Sequence, residues 1–271
     1  MSLVKDEHNK CLRQSLKRFY EEEMLTDVVI NVSGRKFKCH RIILASLSVY
    51  YETLFHSQFI DAQEKELTLQ VDGSTFEEVI NFMYCRTDTI NTLNAENLFK
   101  IADFLQIESL KEVLEQQLLK DLSVENCLEW FRLADLYNCP RLLEKSLSMT
   151  AGNFGSVFDN DQFLLLSSNL ICNVLSKTNL SVPSEENIFE AVVKWYRADI
   201  KGRKSSLSFI LEQIRFPQMS LGYLEKVGKE SFMKPLSRLR LIEEAKNYQS
   251  NPHLRYVKMS PSCMKHPLFL K

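Results

Sequence analysis

The chain has 271 residues, with 34 Lys and Arg against 35 Asp and Glu, a formal charge of −1. That balance supplies no overall positive field for nucleic acid or an acidic membrane surface. Seven glycines and seven prolines in so long a chain argue against a β-sandwich, a propeller or a disordered polypeptide, and for helices joined by short turns.

Leu12, Leu16 and Phe19 recur at helical spacing within residues 8–20, which predicts a short amphipathic helix ahead of the first strand. Its apolar side is read either as a packing arm or as an arm that crosses to a partner chain. Residues 27–39 read as a β-hairpin: Val28, Ile30 and Val32 alternate with Val29 and Asn31, Ser33-Gly34 turns the chain, and Phe37 and Cys39 alternate with Lys36 and Lys38. A helix is predicted from near His40 to Leu47, and Ser48 is read as the cap of the next one, which packs through Tyr50, Tyr51, Leu54 and Phe55. Leu67, Leu69 and Val71 mark a third strand. Ser74 followed by Glu77 reads as a capping box for a helix to Tyr84. Helices over Asn94–Phe104 and Ser109–Leu119, broken near Gln106, complete this half near residue 120.

From Ser123 the pattern becomes nearly all helical. Ser123 with Glu125 and Asn126 is read as opening a helix to Leu136, and Pro140 as sitting just inside the next one. Helices follow over Asp161–Leu166, Ser168–Leu175, a segment opened by Ser184-Glu185-Glu186, Ser205–Ile214, Ser220–Val227 and Leu236–Tyr248. Lys201, Arg203 and Lys204 form the densest basic run and read as a solvated loop. Residues 249–271 hold three prolines and no clear period, so a flexible tail or the start of an absent domain is expected there.

The residues that carry chemistry are sparse. Five scattered histidines show no metal-ligand spacing, and no phosphate-cradling glycine loop or nucleophile-elbow motif occurs. Neither metal nor cofactor is expected. The seven cysteines form no CxxC pair, which points to a reducing compartment, the cytoplasm and also the nucleus. Cys39, Cys127, Cys139 and Cys172 lie beside apolar residues and are expected to be buried and inert. Cys39 and His40 are neighbours in a strand, so their side chains are expected to diverge. No apolar run approaches the ~20 residues of a membrane span. An enzyme active site is not expected; a binding or scaffolding role is.

Leu25-Thr26-Asp27-Val28, Phe37-Lys38-Cys39-His40-Arg41, Leu44-Ala45-Ser46-Leu47-Ser48-Val49-Tyr50-Tyr51 with Leu54-Phe55, and Phe82-Met83-Tyr84 together resemble the BTB (POZ) domain of kelch-like proteins. Asn126-Cys127 with Phe131, Ser184-Glu185-Glu186 through Trp195, and Ile214-Arg215-Phe216-Pro217 are similar to the BACK domain. The resemblance covers about residues 8–248. It implies an α+β BTB domain at 25–121, with a small sheet and a helical cluster, preceded by a dimerisation arm at 1–24. An all-α BACK domain at 122–248 and a tail at 249–271 follow.

The resemblance further implies a homodimer, or pairing with related BTB proteins, with Leu12, Leu16, Phe19 and Leu25 as interface candidates. It also implies binding to cullin-3, the scaffold of a RING-type ubiquitin ligase, through Tyr50, Phe59 and Asp61. Phe59 fits the hydrophobic position of the family's contact element, whereas Asp61 stands where the family carries glutamate, one methylene longer. Residues 249–271 are too few for a kelch propeller at about 50 residues per blade. A non-catalytic cullin-3 adaptor for an unidentified protein substrate is therefore the leading expectation. A cullin-independent scaffold in cytoskeletal organisation, or a shortened form regulating longer adaptors, is the alternative.

Overall fold

A computed structural model describes residues 3–56, 64–87 and 89–250, with side chains from residue 7 onward. Phe59, Asp61 and residues 251–271 lie outside the described residues. The chain divides into two compact units. The first takes the described residues up to Asp121 together with Leu133–Leu142. The second takes Leu122–Arg132 and the described residues from Leu143 onward.

The first unit opens with α1 (Leu3–Glu21), longer than the apolar spacing predicted. The hairpin follows as β1 (Val28–Val32) and β2 (Arg35–Cys39), paired antiparallel with Val28 opposite Cys39. Ser33 at φ +50° and Gly34 at φ +78° form its two-residue turn, and positive φ at both positions matches the twist of a tight hairpin. α2 (Arg41–Leu47) and α3 (Val49–His56) intervene before β3 (Glu66–Leu69), which pairs parallel to β1 and gives the strand order β2-β1-β3. Every second residue of β1 is buried, together with Phe37, Cys39, Leu67 and Leu69. That single apolar face is what α4 (Gly73–Met83) covers through Phe76, Val79, Ile80 and Met83, with Phe76 edge-on to Phe37 at 5.1 Å. α5 (Ala95–Phe104) and α6 (Glu108–Asp121) complete the helical cluster, and Gln106 at φ +52° makes the expected break between them.

Two helix starts differ from the sequence reading. Asp72, not Ser74, caps α4: its carboxylate accepts from the Thr75 amide at 2.8 Å and from the Ser74 and Thr75 hydroxyls. Ser74 lies one residue inside the helix, where its hydroxyl can only donate back, while Glu77 turns to Arg35 at 2.9 Å. These bonds hold the Asp72 carboxyl down at about 2. Ser48 is the cap that the sequence predicts for α3, accepting from Tyr51 while donating to the Leu105 carbonyl.

The second departure concerns α7 (Cys127–Leu136), which begins four residues after Ser123, because the Ser123 amide donates to Asn126 and a turn precedes the helix. Its last residues, with the start of α8 (Pro140–Gly152), belong to the first unit. Tyr137 stacks on Phe99 at 5.2 Å. Buried Glu115 of α6 accepts from the Arg141 and Leu142 amides at 2.9 and 3.0 Å. Proline at the first position of α8 has no N–H to satisfy, and the carboxylate takes the next two, favoured by the positive end of the helix.

One hydroxyl gathers the junction between sheet and helices. Tyr84, fully buried, accepts from the His40 amide at 2.9 Å and contacts the His40 Nδ1 at 2.9 Å and the Cys39 thiol. The adjacent side chains of Cys39 and His40 therefore converge on one partner, contrary to expectation, because the strand ends at Cys39 and the chain bends into α2. Burial pushes the Cys39 thiol up to about 12 and the Cys139 thiol to about 11.

The second unit is helical: α9 (Phe154–Val157), α10 (Asp161–Leu164), α11 (Ser168–Leu175), α12 (Glu185–Ala198), α13 (Ile200–Arg203), α14 (Leu207–Leu211), α15 (Leu221–Gly228) and α16 (Leu236–Ser250). Its core is aromatic, with Phe131, Phe154, Phe163, Trp195 and Phe216 buried, and the Trp195 indole donates to the Leu166 carbonyl at 2.9 Å. Ser184 caps α12 as predicted, and the following Glu185 and Glu186 accept from the Arg215 and Ser220 amides. The basic run is not a simple solvated loop. It lies in and just after α13, and Arg203 folds inward, 4.4 Å over the Trp195 ring, donating to the Leu164 and Trp195 carbonyls. A guanidinium can stack on indole and reach two carbonyls at once, which a lysine cannot.

Replacing Glu115 with Ala leaves the buried Leu142 amide and the part-buried Arg141 amide without an acceptor and is expected to destabilise the first unit by about 1–3 kcal/mol, with Glu115→Gln milder; urea melts of the three proteins measure it. Buried and with its thiol raised, Cys39 holds very little thiolate at pH 8. Timed alkylation read by peptide mass spectrometry should therefore label exposed Cys11 first and Cys39 only on unfolding.

Candidate functional site

Met24, Leu25 and Ile42, three of the exposed apolar residues of the first unit, lie on the segments where α1, β1 and α2 meet. Among its described side chains, α1 is anchored near its C-terminal end. The Tyr20 ring lies tilted against that of Tyr84, with centroids 4.5 Å apart, under the Arg86 guanidinium, and Arg86 also pairs with Glu21. Past the helix, Met24 offers its carbonyl to the His40 Nε2 at 2.7 Å, and Asp27 accepts from the Arg41 amide at 2.8 Å. The segment between α1 and β1 is thus tied at two points to the start of α2. Leu25 lies between those ties, 79% exposed at φ +59°, and Ile42, just past the second, is 73% exposed. A leucine in the left-handed region costs about 1–2 kcal/mol, so the surrounding bonds hold Leu25 out against its own preference. With Met24 also exposed, the junction presents an apolar patch to solvent.

α1 continues away from these anchors. Every residue from Glu7 to Gln14 is exposed, including Leu12 at 50%, while Leu16 and Phe19 are half-buried. The sequence reading identified the apolar stripe but missed Tyr20, the residue that docks the helix. Its spacing of four from Leu16 was the available signal. It also did not single out Ile42, which lies within the helix predicted from near His40 to Leu47.

Tyr50 lies at the start of α3, half-buried, with its ring 5.4 Å from that of Phe104 at the end of α5 and edge-on to Tyr51. Phe104 remains half-exposed and borders a groove of about 430 Å³ with Val71, Ile101 and Lys100. An aromatic ledge beside an apolar-floored groove is a protein-contact surface by composition. Phe104 was read from sequence only as the end of a helix, since its partnership with Tyr50 spans 54 residues.

Neither surface offers reactive groups. Among the described residues, no cluster of three His, Cys, Asp or Glu side chains could hold a metal ion, and no helix is long and apolar enough to cross a membrane.

Comparison with known proteins agrees with this geometry. The BTB/POZ domain model matches residues 16–122, and the BACK (BTB And C-terminal Kelch) model matches residues 127–229. Human Kelch repeat and BTB domain-containing protein 2 is 33% identical over 218 residues, covering 80% of this chain and 35% of the relative. Kelch-like protein 40 of Xenopus laevis is 31% identical over 240 residues, covering 86% of this chain and 39% of the relative. The chain thus spans little more than a third of the length of these relatives. The BTB domain of zebrafish PATZ1 aligns with 43% of this chain and 95% of its own, at 23% identity and a TM-score of 0.37. The two matched domains, in this order, are a BTB domain with a small sheet and helices and a helical BACK domain, and the chain is a homologue of the Kelch-like proteins over their BTB–BACK region.

Proposed function

We propose that the chain is a non-catalytic homodimeric adaptor that binds cullin-3 and brings a protein substrate to a RING-type ubiquitin ligase. The observation that carries this reading is the pairing of a BTB and a BACK domain with two exposed apolar surfaces on the first unit. The Leu25–Ile42 patch, extended by Leu12, is self-complementary in chemistry and fits a two-fold interface, where the same residues meet from both copies. Leu16 and Phe19 would complete the arm on closure. The Tyr50–Phe104 ledge fits the cullin face, with Phe59 as a further anchor from outside the described residues. Such a chain performs no bond chemistry; it raises the effective concentration of substrate beside a tethered ligase. Seven cysteines without a CxxC pair support a reducing compartment, the cytoplasm and also the nucleus, as its site of action.

Asp61 favours a second reading. Its carboxylate is one methylene shorter than the glutamate of the resemblance, and a lengthened hydrogen bond weakens a contact steeply. On that reading the dimer is a cullin-independent scaffold.

Leu25→Asp combined with Ile42→Asp places charges in the patch and is expected to shift sedimentation from two chains to one at micromolar concentration, with the helical signal unchanged. Titration calorimetry with the cullin-3 N-terminal domain should give submicromolar binding, abolished in Phe59→Ala and weakened in Tyr50→Ala by about 1–2 kcal/mol. A folded dimer that shows no heat of binding would transfer the assignment to the scaffold.

A further inference from the structure

The second unit holds a cleft whose charge is unlike that of the chain as a whole. It lies along the end of α12, the residues that follow α13, and the start of α16, with a volume of about 580 Å³. Tyr196 and Phe232, with ring centroids 5.6 Å apart, give it an apolar floor, and Ile200, half-exposed, stands at its edge. Arg197 and Glu230 pair with each other at 3.2 Å and cancel. Three cations remain along the cleft: Lys204, Lys234 and Arg238.

Arg238 is the decisive residue. It is 9% exposed, and its guanidinium donates to the Ser208 hydroxyl at 2.9 Å and the Phe232 carbonyl at 2.6 Å. Both acceptors are neutral. Among the described residues no carboxylate lies within ion-pairing distance of Arg238, Lys204 or Lys234. A buried cation without a counter-charge is costly, and a carboxylate brought to it is correspondingly favoured. Residues 251–271 contain Arg255, Lys258, Lys265 and Lys271 and no Asp or Glu.

We propose that this cleft docks an acidic segment of a partner protein. Its carboxylates meet Lys204, Lys234 and Arg238, and an apolar side chain rests on Tyr196 and Phe232. Charge sets the partner's composition and the aromatic floor sets the need for an apolar anchor, which a free phosphate or a nucleic-acid backbone lacks. The proposal concerns a surface separate from those assigned to dimerisation and cullin, and does not depend on either.

The test uses the full chain and a fluorescein-labelled peptide, Asp-Glu-Leu-Asp-Glu-Phe-Asp-Glu, with a counterpart in which each acidic residue is replaced by Lys. Fluorescence anisotropy should show the acidic peptide binding with a Kd of about 10–100 µM and the basic one not binding. Lys204→Glu with Lys234→Glu should weaken binding by about 10-fold. Lys120→Glu with Lys145→Glu, the same change in net charge placed on exposed residues elsewhere, should leave it unchanged within about twofold. Equal loss in both double variants would mean that only net charge matters and would overturn the cleft. So would the absence of binding by the acidic peptide, or its complete displacement by about 5 mM inorganic phosphate, which would reassign the cleft to small anions.

Discussion

The first unit depends on what the Tyr84 hydroxyl gathers. It receives the His40 amide where β2 ends, meets the Cys39 thiol on the sheet and the His40 ring at the entry to α2, and its own ring carries Tyr20 of α1. Through the other nitrogen of His40 the same cluster reaches the Met24 carbonyl. Buried polar groups held in such a network fix a single geometry, since each loses its partner if any one moves. The consequence reaches the surface: Leu25 and Ile42 stand exposed because the backbone beneath them is held by bonds they do not make.

Much of this architecture was legible in the chain because its local signals agree. Ser33-Gly34 between alternating strands specifies a hairpin, and the two strands pair antiparallel across that turn. Ser184 followed by two glutamates marks a helix start, and residues 168–175 form a helix over the predicted span. Failures occur where a distant partner decides. Ser74 and Glu77 fit a capping box, but Asp72 stands one residue before the helix, and Arg35 claims Glu77 from across the sheet. Arg203 belongs to a run that reads as solvated, yet an indole eight residues earlier and a carbonyl 39 residues earlier draw it inward. Tyr20, Ile42 and Phe104 were invisible as surface residues for the same reason: helical periodicity reports which residues share a face, not whether that face is covered.

The two units use charge differently. In the first, carboxylates serve as caps and ties: Asp72 on α4, Glu115 on α8, Asp27 on α2. In the second, Glu185 and Glu186 serve in the same manner at residues 215–220, whereas Arg238 is buried against neutral acceptors alone. A near-zero net charge therefore conceals local imbalance, and composition alone could not have located it.

The bonds from Glu115 to Arg141 and Leu142 have a temporal meaning. Domains generally fold as units while the chain is being made, N-terminal first. Here the first unit closes only after Leu133–Leu142 has been synthesised, by which time the opening residues of the second, Leu122–Arg132, have already been added to the chain. The two units are interleaved along the chain, so neither can be completed before part of the other exists. A chain cut off near residue 122 would hold Glu115 without the two amides it accepts from.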